Sequence, residues 1–290
     1  MKKNPILIIL GILVGLNILA WIAVYEVSQP RFLEVNFFDV GQDDAIFIVI
    51  PKGHQILIDA GPDSAILEKL GENLPFWDRS LDLIILTHPE ADHLAGLIEV
   101  LKRYQVNFIF WTGVVRDTFE WKEWQKLIES KREKGAKLLI AQAGQKIIVS
   151  RLVFDIIHPS ENLEGQTFKD CNNTSIVAKL IYGQNSFLFT GDIYKSVEGK
   201  LIETGFDINS DVLKVAHHGS KTSSADEFIE KVSPEIAVIQ VGKDNRYGHP
   251  YPEVLETLAK YDITILRTDR DGDIKIISDG KNYEVFNIQN

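Results

Sequence analysis

Between Thr87 and His93 the chain reads Thr-His-Pro-Glu-Ala-Asp-His, which places four metal-type side chains, His88, Glu90, Asp92 and His93, within six residues. They cannot all point one way from a helix or a strand, but a tight loop leading into a helix from Leu94 can gather them. Imidazole mixed with carboxylate suits a divalent first-row metal. The remaining histidines repeat the theme. His158 ends the apolar run Leu152–Ile157, His217 and His218 end Val212–Ala216, and His249 sits in a Gly-His-Pro turn. Asp59 and Asp192 close Gln55–Ile58 and Ser186–Gly191 in the same way. A single His at a strand end is more often a satisfied structural residue. Six of the seven, accompanied by carboxylates, imply polar groups converging on one sheet edge from loops far apart in the chain. Only His54, in the turn Lys52-Gly53-His54, reads as an ordinary surface histidine.

Strands must carry those loops. β-branched and aromatic runs predict strands at Leu33–Val40, Ala45–Ile50, Gln55–Asp59, Leu81–Thr87, Asn107–Trp111, Leu138–Ala141, Lys146–Ile157, Ile176–Tyr182, Ser186–Thr190, Val212–Ala216, Ile236–Val241, Ile263–Arg267, Ile274–Ser278 and Tyr283–Ile288. Helical spacing predicts helices at Asp63–Gly71, Leu94–Tyr104, Phe119–Lys134, Ile193–Thr204, Ala225–Lys231 and Pro252–Tyr261. A meander followed by alternating strands and helices suits two packed mixed sheets with helices outside, an α/β (α+β) chain. No Gly/Pro/Ser-rich linker and no fixed-period repeat divides it. Ser160–Asn173 is the longest polar loop, of a length that is often functional or mobile.

Composition sets the outer limits. The 290 residues are 45% hydrophobic and 25% charged, which excludes a disordered or low-complexity chain. The single Cys171 excludes internal disulfides and a thiolate zinc cluster. A formal charge of −10 argues against a nucleic-acid coat protein. The apolar residues are concentrated at the start: Pro5–Tyr25 is 21 residues without a charge, preceded by Lys2 and Lys3. That is long enough for a transmembrane helix, with Trp21 and Tyr25 at headgroup depth. Residues 1–29 are therefore expected to be a single-pass membrane anchor, with residues 30–290 forming one domain outside the cytoplasm. A cleaved signal peptide is the rival reading; Ala20-Trp21-Ile22-Ala23 would be a poor cleavage site for it. Met1–Val27 carries two Lys and one Glu, so the remainder stands at −11.

His88-Pro89-Glu90-Ala91-Asp92-His93, Thr190-Gly191-Asp192 and His217-His218-Gly219-Ser220 resemble the metal motifs of the metallo-β-lactamase fold. Phe38-Asp39-Val40-Gly41-Gln42, Ile58-Asp59-Ala60-Gly61-Pro62, Asn172-Asn173-Thr174-Ser175, Tyr247-Gly248-His249-Pro250 and Arg267-Thr268-Asp269-Arg270-Asp271-Gly272 narrow the likeness. Together they resemble the metallo-hydrolase domain of the competence DNA-uptake channel ComEC over about Arg31 to Ser278. The resemblance implies an αββα sandwich with a dinuclear centre for two divalent ions. His88 and Glu90 would bind the first metal, Asp92 and His93 the second, with Asp192 bridging and His217 or His218 completing the set. His158 falls near a further first-metal position. Asp92, Asp192 and His249 are assigned to catalysis. Asp59 would orient a ligand His through its other ring N–H; Asp39 and Asp44 stand close behind the site. Asn173, Lys214, Ser220 and Lys221, with Thr174 and Arg270, would meet phosphate oxygens.

Three departures matter. Glu90 stands where many members of the fold have His, although a carboxylate is common in ComEC-like sequences. Gln42-Asp43-Asp44 replaces Gln-Gly-Asp, which adds a negative charge near the site. The polytopic channel is absent, so translocation is outside this chain's reach while hydrolysis is not. Two metal ions can activate a water and stabilise both oxygens of an in-line phosphodiester displacement, which implies a nuclease or phosphodiesterase. Three oxygen ligands, Glu90, Asp92 and Asp192, raise Mn²⁺ relative to Zn²⁺. From Asp211 to Lys281, 10 Lys/Arg face 13 Asp/Glu, so no basic stripe marks a DNA track and smaller phosphodiesters stay open. A hydrolase of another bond, lactam or thioester, and a non-catalytic DNA-uptake or envelope binding module are the competing readings.

Overall fold

The computed structural model describes residues 5–28 and 31–288. A helix α1 (Pro5–Ser28) comes first. Three strands, β1 (Leu33–Phe37), β2 (Ile46–Ile50) and β3 (His54–Ile58), form an antiparallel meander. Helix α2 (Ala65–Asn73), β4 (Ser80–Leu86), α3 (Ala91–Arg103), β5 (Gln105–Trp111), α4 (Phe119–Glu133) and β6 (Lys137–Ile140) continue it as parallel crossovers. The second half opens with β7 (Lys146–Val149), β8 (Leu152–His158), β9 (Val177–Tyr182) and β10 (Asn185–Phe189), which are antiparallel. Then α5 (Lys195–Glu203), β11 (Val212–Lys214), α6 (Asp226–Val232), β12 (Ile236–Ile239), α7 (Pro252–Lys260) and β13 (Thr264–Arg267) extend it in parallel. A short α8 (Thr268–Asp271) leads to β14 (Asp273–Ser278) and β15 (Tyr283–Ile288), which return to the first sheet.

Two sheets result, β15-β14-β1-β2-β3-β4-β5-β6 and β13-β12-β11-β10-β9-β8-β7. One core lies between them, and each outer face carries its own layer of helices: α2, α3 and α4 on the first sheet, α5, α6 and α7 on the second. This is an αββα sandwich. Burial on both faces explains the unbroken apolar runs. In β2, Ile46, Ile48 and Ile50 pack between the sheets while Phe47 and Val49 pack under the helices. Because β3 to β6 run parallel, as do β10 to β13, the loops leaving them open at one edge of the sandwich. That is where an open α/β sheet builds a site.

Three expectations are corrected. Lys146–Ile157 is a hairpin rather than one strand: β7 and β8 pair around Ser150-Arg151, with Ser150 at φ 57°. No Gly, Pro or Asn punctuates that turn, so the pattern reads as continuous. Helix α3 starts at Ala91, so Asp92 and His93 lie in its first turn, where the positive end of the helix dipole favours a carboxylate. The polar loop Ser160–Asn173 is docked rather than mobile. Val115 N donates to Gln166 O at 2.8 Å, Gly165 N donates to Gly113 O at 3.0 Å, and Leu163, Phe168 and Cys171 pack with Val114.

Among the described residues no helix is long and apolar enough to cross a membrane. In α1 the described side chains include those from Ile6 to Ile22. The large apolar side chains described there are 50% to 71% exposed.

Candidate metal centre

Asp59 leaves β3 in a left-handed conformation, φ 51°, and its carboxylate organises the end of β4. It accepts from Thr87 N at 2.8 Å and from the Thr87 hydroxyl at 2.6 Å, and lies 3.0 Å from His93 Nδ1. With the Thr87 proton committed to Asp59, the 2.9 Å contact between Thr87 Oγ1 and His88 Nδ1 makes the ring the donor. His218 Nδ1 is held in turn by Gln240 O at 2.8 Å, beyond β12. Three imidazoles, all buried, are thus oriented through Nδ1, and each turns Nε2 the same way.

Those Nε2 atoms meet at Asp192, which follows β10. Its Oδ2 lies 3.3 Å from His93 Nε2 and 3.2 Å from His218 Nε2, and Asp43 Oδ1 is 2.9 Å from His218 Nε2. Even so, Nε2 of His88, His93 and His218 make no hydrogen bond, and all three are buried. A buried nitrogen without a partner is costly, and a divalent cation satisfies several at once. The groups His88–His93–Asp192, Asp43–His93–His218 and Asp44–Asp192–His218 each bring their ligand atoms within 4.8 Å of one another. This donor set suits a divalent metal centre with room for two ions.

The electrostatics agree. Burial alone would lower His93 and His218, but the carboxylates of Asp192 and Asp59 hold His93 well above its usual range, and those of Asp192 and Asp43 do the same for His218. Asp192 is held well below the carboxylate range: burial opposes ionisation, and His218, His93 and Lys214 outweigh it. Burial and the neighbouring His93 keep His88 neutral. Such opposed pressures arise where charges share a cation-binding cavity.

That cavity, of about 200 Å³, is lined by Gln42, Asp43, His88, Glu90, Asp92, Asn172, Asp192, His217, His218, Tyr247 and His249. Of the consecutive histidines, His218 approaches Asp192, whereas His217 lies 3.3 Å from Asn172 Nδ2 through Nε2. Their φ values of 54° and 50° aim successive rings at different walls. Burial, then the positive neighbours His218 and His217, lowers His249 to about 4. Glu90 reaches the cavity with Oε1 already accepting from Arg116 Nη1 at 2.7 Å and Cys171 N at 3.3 Å.

Several expected residues lie elsewhere. His158 ends β8 at the correct edge, but its Nδ1 turns to Ser175 O at 2.9 Å and it does not line the cavity. Lys214 is fully buried, paired with Asp44 and donating to Gly191 O at 3.0 Å, so it cannot meet a substrate phosphate. Asp44 accordingly stands behind the cavity wall. Asp39 accepts from Gly41 N at 3.1 Å and supports the loop without entering the site. Ser220 bonds Thr222, Thr174 bonds Cys171 O, Lys221 lies over the Tyr251 ring, and Arg270 pairs with Asp271. Asn173 turns outward to Ser196; its neighbour Asn172 faces the cavity. The sequence reading missed Asn172, Asp43, Arg116 and Tyr247 as site residues. The first two and Tyr247 stand in segments already notable in the sequence. Arg116 is a lone Arg in a loop with no signal.

Residues 38–243 match the profile of the metallo-beta-lactamase superfamily. The chain is 33% identical to ComE operon protein 3 of Bacillus subtilis over 83% of this chain and 32% of that protein. It is 30% identical to Recombination protein 2 of Haemophilus influenzae over 87% and 29%. The chain therefore spans about a third of the length of the curated relatives it matches. Two solved structures share the fold: the metallo hydrolase Igni18 of Ignicoccus hospitalis and the diiron β-hydroxylase CmlA of Streptomyces venezuelae. Igni18 has a TM-score of 0.50 at 14% identity, covering 88% of this chain and 100% of that one. CmlA has a TM-score of 0.53 at 12% identity, covering 89% and 55%. With its histidines and Asp192 converging where two parallel strand sets end, the chain belongs to the metallo-beta-lactamase superfamily.

Proposed function

We propose that the chain is a phosphodiesterase acting on DNA or a related phosphodiester at a dinuclear centre, with Mn²⁺ supporting faster turnover than Zn²⁺. The observation that carries this reading is Asp192, whose Oδ2 lies 3.3 Å from His93 Nε2 and 3.2 Å from His218 Nε2 while Glu90, Asp92 and Asp43 line the same cavity. So many oxygen donors beside the imidazoles favour hard divalent ions. The names of the relatives, ComE operon protein 3, Competence protein ComA and Recombination protein 2, support a role in DNA uptake.

When bound, the two ions supply an activated water and charge neutralisation for an in-line displacement. The chain's own residues do the rest. Asp192, with His88, His93 and His218, would hold the ions, and Asp59, Thr87 and Gln240 O orient the rings. Asn172 donates to the Tyr194 hydroxyl at 3.0 Å, and the two flank the His217 ring. His249, neutral at pH 7, offers a single N–H to a phosphate oxygen.

Purified chain reloaded with Mn²⁺ or Zn²⁺ should approach two equivalents of metal and hydrolyse bis(p-nitrophenyl) phosphate but not a chromogenic β-lactam. Asp192→Ala should lose most of the metal. A stoichiometry near zero, or lactam turnover alone, would overturn the reading.

The same proposal places the domain on a membrane by a single N-terminal span, facing away from the cytoplasm. The uncharged run Pro5–Tyr25 after Lys2 and Lys3 supports it. An alkaline phosphatase fusion at the C-terminus should be active and a cytoplasmic fluorescent fusion dark. The opposite pattern would place the hydrolase in the cytosol.

A further inference from the structure

A second groove, of about 590 Å³, adjoins the metal cavity and shares Asp43, Asp92 and Tyr247 with it; Glu120, Asp244 and Arg246 extend it outward. Its size is that of a small-molecule site. Its charge is the wrong sign for a phosphate chain: five carboxylates line it against one cation, Arg246. The part of a substrate that lies there is therefore not an anionic one.

Tyr247 gives that part a surface. Its ring is 44% exposed and lies nearly parallel to His249, at 22° with centroids 5.7 Å apart. The Arg246 guanidinium sits 5.1 Å from the ring centroid, and Nη2 donates to the Tyr247 hydroxyl at 2.9 Å. The turn bearing the ring is clamped by Asn245, which accepts from His249 N at 2.9 Å and donates to His249 O at 2.8 Å and Gly242 O at 2.9 Å. A half-exposed aromatic side chain, held in place by these contacts and beside a metal cavity, can serve as a stacking platform.

We infer that this groove receives the nucleobase next to the scissile phosphate, stacked on Tyr247. The substrate class is then single-stranded or otherwise unpaired nucleic acid, since a base held in a duplex has no free face. This inference rests on the phosphodiesterase reading above. Phosphate is drawn by the metal centre and the base by the ring, so the chain needs no basic track.

The test uses the full chain loaded with Mn²⁺ and two pentamers of equal charge, pentadeoxyadenylate and an abasic tetrahydrofuran analogue. Wild type should show a KM for the base-bearing pentamer lower by between about 5- and 150-fold, the range of one stacked base. Tyr247→Ala should close that gap through KM with little change in kcat, and Tyr247→Phe should keep it. Metal content, measured on each variant, reports whether the centre has formed. Tyr247→Leu, which keeps the bulk and loses the π-face, gives the same comparison if Tyr247→Ala does not fold. Equal KM values in wild type, or a gap that survives Tyr247→Ala, would overturn the inference while leaving the phosphodiesterase standing. If metal-loaded wild type cleaves neither pentamer, the phosphodiesterase reading fails and the inference falls with it.

Discussion

Glu90 adds a negative charge beside the centre where a neutral imidazole is common in the fold, and Arg116 restores the balance from 2.7 Å. The same Arg116 nitrogen lies 3.0 Å from Cys171 Sγ, so one guanidinium ties the loop before α3, the loop before α4 and the docked loop together. Partners that orient metal-binding side chains typically govern affinity by 10- to 100-fold, roughly. Arg116→Met is therefore expected to weaken binding of one metal equivalent by about that factor, read by competition with a chromogenic chelator. Unchanged affinity would mean that Arg116 only holds loops. Glu90→His should shift the ratio of Mn²⁺ to Zn²⁺ rates toward Zn²⁺; an unaltered ratio would show that Glu90 does not reach the metal. The cost of the site is visible in the backbone. Asp43, Asp59, His217 and His218 all have positive φ, a conformation costing non-glycine residues on the order of 1–2 kcal/mol each. Packing and the Asp59, Asp192 and Gln240 contacts hold them there.

Helix α3 approaches the exit of β3 so closely that a Cβ on Gly96 would stand 2.0 Å from Ala60 O. Ala60 N donates to His93 O at 3.3 Å and Gly96 N to Gly61 O at 3.0 Å, so this contact sets where His93 sits. Gly96→Ala should cost about 2–3 kcal/mol in urea denaturation and lower metal content with it, because α3 has to move. Wild-type stability in that variant would show that the contact yields. Helix α5 carries a second device. Glu198 is buried, accepts from Ser224 N at 2.7 Å and Ala225 N at 2.8 Å ahead of α6, and is pushed up by burial to about 7. A folded pKa above the unfolded value means that the protonated form favours the fold. Its contribution is complete below about pH 4.5 and is lost as pH rises through about 7, an effect on the order of 3 kcal/mol. Glu198→Gln should flatten that fall, so the stability difference between wild type and variant should change between pH 5 and pH 8. A constant difference would show that Glu198 does not titrate in this range.

Taken whole, the sandwich is a frame that forces carboxylates together. Asp43, Asp44, Asp59, Asp92 and Asp192 crowd one edge of a chain already at −10. Cations bound only by the folded state stabilise it by mass action, by about 2.7 kcal/mol at a hundredfold excess over Kd. For a domain of this size EDTA should lower the melting temperature by roughly 5–10 °C, and Mn²⁺ should restore it. Asp192→Ala should respond little. A wild-type melting curve indifferent to EDTA would argue that the centre does not hold metal.

The order of strands and helices is legible in the sequence because both sheets are buried on two faces and write long apolar runs, punctuated by the polar residues that end them. The edge bearing the site is legible for the same reason: Asp59, His88, Asp192 and His217 each close a run. Which way each side chain turns was decided only by the tertiary structure. His217 and His218 are adjacent and identical, yet left-handed backbone sends one toward Asn172 and the other toward Asp192. Asn172 and Asn173 also part, here because consecutive residues of one 3-10 turn face different sides. Lys214 reads as a phosphate ligand until its burial against Asp44 is known, and Arg116 reads as nothing until Glu90 lies beside it. Sequence periodicity records which residues leave water; the direction of a charge in a loop depends on partners 26 residues away for Arg116 and 170 for Lys214.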